Sequence, residues 1–133
     1  NMDITIAMIE KKLGIKRTVL NQWNEKGFVE PSIKGKGSKS FYTKDDAYKL
    51  KVFQSLLNLN VDPKEAAIVT PKVLAIGRQN GYAIIVPETN GTKGVYPVPV
   101  TLNNPVLIRR CDAMIVVNIF DIRQGVDSLL AAD

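Results

Sequence analysis

The sequence predicts an α+β fold: a helical N-terminal unit with a small wing over residues 1–70, then a small β-rich α/β unit over residues 71–133. Three observations predict it. Up to about residue 70, apolar residues recur at the three- and four-residue spacing of a helix face. From Tyr82 onward, short runs rich in Val and Ile take over, separated by Gly, Pro and Asn. Hydrophobic residues make up 45% of the 133, enough for a packed core and too many for a disordered chain.

Taken in order, Ile6, Ile9 and Leu13 lie at helical spacing behind Thr5, a residue type suited to an N-cap, and Gly14 ends the run. A second helix is predicted from about Arg17 to Lys26, with Val19, Leu20 and Trp23 inward and Gly27 as its stop. Phe28 and Val29 return to the core, and Pro31 opens an extended segment. Gly35 and Gly37 punctuate a basic loop, "SIKGKGSKSFYTK", which holds four lysines and no acid. Thr43 with Asp46 reads as a capping box for a helix carrying Ala47, Leu50, Phe53, Leu56 and Leu57. Asp62-Pro63-Lys64-Glu65 starts another, and Thr70-Pro71 a further one ending at Asn80-Gly81.

Four strands are then expected: 82–87, 94–100, 105–110 and 113–122. A turn at Asn90-Gly91 joins the first two, and Pro97 and Pro99 push the second to a sheet edge. Asp121 with Gln124 is expected to cap a last helix bearing Val126, Leu129 and Leu130.

Net charge is +5, and its distribution matters more than its size. Residues 1–69 hold 12 Lys/Arg against 8 Asp/Glu, residues 70–133 only 6 against 5. The single Cys111 excludes an internal disulfide, and with no histidine a thiolate or imidazole metal cluster within one chain is excluded too. No cofactor motif is present. No apolar run reaches a membrane span and no signal peptide is read, so a cytoplasmic location is expected.

"TVLNQWNEKGFVEP" (18–31) then acquires a meaning. Two short helices joined by a Gly-containing turn, the second apolar inside and amide-rich outside, have the pattern of a helix-turn-helix. A helix lying in a major groove needs outward donors and acceptors that reach base edges, over a firm inner anchor. Asn21 and Gln22 are the amides, and Trp23 is the anchor. Lys34, Lys36 and Lys39 on the following loop are placed to neutralise phosphates, with Gly35 and Gly37 permitting close approach.

The same residues resemble the N-terminus of MerR-type regulators. Gly14-Ile15, Val19-Leu20, Trp23, Gly27-Phe28-Val29 and Pro31 fall without a gap on the family pattern of a short helix, Gly-Val, a recognition helix written around "TLRYY", and Glu-x-Gly-Leu-hydrophobic-x-Pro. Tyr42 matches the wing tyrosine, Asp45-Asp46 and Leu50 the "DLxRL" helix, and Asn60 to Ala66 the "LGFSLEEI" segment. The resemblance spans about residues 3–68 and implies a winged helix-turn-helix that binds double-stranded DNA. Departures limit what carries over. Asn21 stands where the family has an arginine, Gln22 where it has a tyrosine, Lys16 where it has a capping serine, and Ser40 near the usual wing arginine. The long helix that pairs family members as an antiparallel coiled coil is missing, since Ala67–Asn80 is short and interrupted by Pro71.

The DNA-binding set is therefore Lys16, Arg17, Thr18, Asn21, Gln22, Lys26, Lys34, Lys36, Lys39 and Tyr42. Simpler readings stand beside it: Trp23 as core, Tyr42 as wing packing, Arg109-Arg110 as a solvated strand end, Cys111 as a small core residue. Catalysis is not expected, because Glu88, Asp112 and Asp121 show no paired spacing and no phosphate loop. The predicted function is a sequence-specific DNA-binding transcriptional regulator. Residues 82–133 are expected to form a homodimer or sense a small-molecule effector. Alternatives are an architectural binder resembling excisionases or terminase small subunits, and a protein-interaction module.

Overall fold

The computed structural model describes residues 3–34, 40–87, 93–97 and 114–132. Helix α1 (Ile6–Met8) runs directly into a π-helical turn (Ile9–Leu13). Thr5 caps it, its hydroxyl accepting from the Met8 amide at 3.1 Å, and Gly14 ends it at φ +71°, where a side chain would be strained. Helix α2 (Arg17–Glu25) follows and stops at Gly27, also at φ +71°. The expected wing position holds a two-stranded antiparallel ribbon, β1 (Ile33–Lys34) with β2 (Ser40–Phe41). Ile4 and Tyr42 exchange both backbone hydrogen bonds, at 2.8 and 2.7 Å, tying the start of the chain to the end of that ribbon.

Helix α3 (Lys44–Asn58) opens on the predicted capping box. Asn60, at φ +62°, turns the chain into α4 (Pro63–Asn80), which Asp62 caps by accepting from the Lys64 and Glu65 amides. One helix stands where two are predicted. Pro71 lies inside α4 rather than at a new start, and the expected unit boundary near residue 70 falls within this helix. An interior proline deletes one backbone hydrogen bond. Burial of Val69, Thr70, Val73 and Leu74 on either side holds the helix through it.

The sheet has the order β4-β3-β5, all antiparallel: β3 (Tyr82–Pro87), β4 (Lys93–Pro97) and β5 (Ile115–Asn118). Strand β4 pairs with β3 from Ala83↔Pro97 to Pro87↔Lys93 and, among the described residues, lies at the sheet edge, as Pro97 requires. The Asn90-Gly91 turn, the 105–110 strand, Pro99, Arg109-Arg110 and Cys111 lie outside the described residues. Residues 113–122 are only partly strand. Asn118 accepts from the Asp121 amide at 2.9 Å and so starts α5 (Ile119–Ala131) three residues before the expected Asp121 cap. Val126 and Leu130 are buried on α5 as expected, whereas Leu129 is exposed.

One hydrophobic core runs through these elements, from Ile4, Leu20 and Phe53 through Val73 and Ala83 to Val117, Ile119 and Leu130. Helix α5 packs back on the N-terminal helices. Lys12 Nζ donates to the carbonyls of Leu130 and Ala132, at 3.2 and 2.6 Å, placing a cation at the helix C-terminus. The Tyr48 hydroxyl on α3 donates to Asp127, and the Arg123 guanidinium lies 5.4 Å from the Tyr48 ring centre. Gly77 lets α4 approach α5: a Cβ there would fall 2.5 Å from Ile119 Cγ2.

Candidate nucleic-acid interface

Helix α2 is held from beneath. Leu20 is fully buried, and the Trp23 ring meets Phe53 edge-on at 4.9 Å between centroids, with Phe28 at 5.6 Å from the same ring. Trp23 is thus a packing anchor, as its spacing suggests. The opposite face carries Arg17, Thr18, Asn21, Gln22 and Glu25, all exposed, with Lys16 and Lys26 exposed at its two ends. The Lys26 ammonium lies 6.0 Å over the Phe28 ring, a weak cation–π contact.

Lys16 occupies the N-cap position without capping. The work is done by Glu10, whose Oε2 accepts from the Arg17 amide at 2.7 Å. A carboxylate there satisfies one orphan donor and complements the positive end of the helix dipole. It leaves the Lys16 side chain outward. Sequence reasoning missed Glu10, since no capping rule reaches seven residues upstream.

The base of the ribbon is fixed by Asp46, the most buried charged group among the described residues. Its carboxylate accepts from the Ser32 amide at 2.8 Å, the Ser32 hydroxyl at 2.7 Å and the Thr43 amide at 2.9 Å. The capping-box residue therefore also locks the strap from α2 into β1 against α3. Only its Thr43 half is legible from spacing.

Lys34 is exposed on β1 and forms a loose pair with Glu30 at 3.9 Å; both side chains are more than half exposed, so the pair contributes little. Lys36 and Lys39 lie outside the described residues. Tyr42 does not stand out on the surface. Its ring is 1% exposed, because the backbone bridge to Ile4 turns the side chain into the core. Burial, and then the nearby negative charge of Asp46, raise its hydroxyl above the ordinary value of 10.0. The packing reading of Tyr42 is the one its position supports, in place of a phosphate contact.

Among the described residues no group of three or more acidic or thiol side chains could hold a metal ion, and no helix is long and apolar enough to cross a membrane.

A comparison with curated proteins returned no match. Residues 4–72, just over half of the chain, match the family model described as MerR HTH family regulatory protein. That match covers the capped α1–α2 pair, the ribbon and most of α4. The family consists of DNA-binding transcription regulators rather than enzymes. The chain belongs to the MerR helix-turn-helix family of regulatory proteins.

Proposed function

We propose that the protein is a sequence-specific transcriptional regulator that lays α2 in the major groove of double-stranded DNA. Asn21 and Gln22 read base edges. Lys16, Arg17, Thr18 and Lys26 hold the helix ends to the backbone, and Lys34, Lys36 and Lys39 track phosphates from the ribbon. One observation carries the reading. On a helix anchored by Leu20 and Trp23, the outer face collects two amides, a hydroxyl and three cations in the open. Amides suit adenine edges and cations suit phosphates. Glu25 on the same face would repel a phosphate, which favours a contact pattern centred on the N-terminal and middle turns.

A single small module covers one half-site, so two copies joined through residues 82–133 are proposed to place both α2 helices on one DNA face. The test is binding of a labelled duplex at several salt concentrations. A steep fall in affinity with salt is expected, and a flat response would sink the reading in favour of a protein-interaction module.

A further inference from the structure

The two edges of the three-stranded sheet differ. Edge strand β4 contains Lys93 and Pro97, residue types that deter a further strand from pairing. Edge strand β5 reads Ile-Val-Val-Asn, with no proline and no charge. Among the described residues no strand lies along its outer side. A groove of about 210 Å³ runs there instead, touching all four residues from Ile115 to Asn118 and none of β3. Successive strand residues point to opposite faces, so a groove that reaches all four lies along the strand's outer edge. Alternate residues turn their N–H and C=O groups towards it. Leu56 and Leu59 of α3 and Ile122 of α5 wall the groove, and Val116 and Leu59 are more than half exposed. Asp121 is the only charged residue lining it, in a chain with 18 Lys/Arg and a net charge of +5. A nucleic-acid backbone finds no cation here, whereas two copies of a basic chain meet on this face without bringing lysines together.

We propose that β5 pairs antiparallel with β5 of a second copy across a two-fold axis, joining the two sheets into one. An antiparallel pair of identical strands is self-complementary, uses the one undefended edge of each copy, and so closes as a dimer. The pairing supplies partners along the edge and covers Val116 and Leu59. It also sends the two Asp121 carboxylates to opposite ends of the seam, since each lies beyond the C-terminal end of its own strand. This names the surface for the pairing of copies through residues 82–133, and it rests on that reading.

The test follows backbone amide hydrogen exchange of the full chain without DNA, from dilute to concentrated solution, with sedimentation at the same concentrations. A dimer forming in the micromolar range is expected, with alternate amides within 115–118 gaining protection as it forms. Val116→Lys places the residue that defends natural edges on a side chain already turned to solvent. It should weaken the dimer roughly tenfold, one loss coming from each copy. Ile68→Lys makes the same charge change at an exposed site of α4 outside the groove and should leave the dimer unchanged. A dimer without gained protection at 115–118, indifference to Val116→Lys, equal weakening by Ile68→Lys, or growth beyond the dimer would overturn the β5 seam. If Val116→Lys fails to fold, the exchange pattern of the wild type decides by itself. A monomer at every concentration would overturn the seam together with the pairing through residues 82–133. A dimer with the protected edge that binds no DNA would support the seam and instead strike the regulator reading.

Discussion

Asn21 and Gln22 stand side by side on the outer face of α2, and each makes a distinct claim about chemistry. An amide that pairs bidentately with a base discriminates by about 1–3 kcal/mol, whereas one that touches only the backbone discriminates by nothing. Asn21→Ala is therefore expected to relax preference at one position of a half-site while affinity for random duplex stays near wild type; competition binding with single-base variants reads this out. Glu10 belongs to the same scale. Glu10→Ala removes the side-chain acceptor that caps the start of α2 and should lower stability by about 1 kcal/mol in urea unfolding, as other cap losses do. Two tyrosines couple stability to alkaline pH. The Tyr42 and Tyr48 hydroxyls both titrate above 10.0 in the folded state, Tyr42 mainly through burial and Tyr48 through burial and its bond to Asp127. A raised folded value means the unfolded chain loses its proton first. Their contribution is complete below pH 10 and is lost as pH rises through the folded values. Tyr42→Phe with Tyr48→Phe should flatten the fall in stability above about pH 10 in denaturant titrations, whatever its effect at neutrality.

At the scale of elements, the contrast between α2 and α4 shows what the sequence makes legible. Helix α2 is local: Val19, Leu20 and Trp23 mark its inner face and Gly27 its end, so its bounds and its exposed amides follow from spacing alone. Helix α4 is not. Thr70-Pro71 reads as a start, because proline favours the first helical turn. Whether the chain begins or continues there depends on Val69, Val73 and Leu74 being buried by distant residues. Residues 113–122 fail for a related reason. "IVVNIFDI" is apolar apart from Asn118 and Asp121, and only the Asn118 cap tells where strand gives way to helix. The two anchors at the ends of α2 and the ribbon, Glu10 and Asp46, were invisible or half-visible because they act across folded distance. The α4–α5 crossing yields a direct test. Gly77→Ala drives a methyl into the fully buried Ile119, and overpacking of this kind should cost about 1–3 kcal/mol in thermal or denaturant unfolding. A neutral substitution would mean that the two helices separate more readily than their contact implies.

For the whole molecule, the shared core makes the helix-turn-helix pair and the C-terminal sheet parts of one packed body. What it leaves outside is informative: Val116 and Phe120 are 55% and 56% exposed at the junction of β5 and α5, and Leu59 is 61% exposed at the α3–α4 turn. The proposed pairing of two copies through residues 82–133 would cover apolar surface of this kind, and sedimentation at micromolar concentration should find a dimer. Phe120→Glu is expected to shift it towards monomer. The central claim is that α2 reads sequence, in two copies set by the symmetry of the pair. Selection of duplexes from a random pool by the full chain tests it most directly. The expected result is enrichment of two inverted half-sites whose centres lie about 10 base pairs, or a multiple of one turn, apart, lost on Asn21→Ala with Gln22→Ala. Recovery of a pool that binds the protein yet shows no enriched sequence would contradict it.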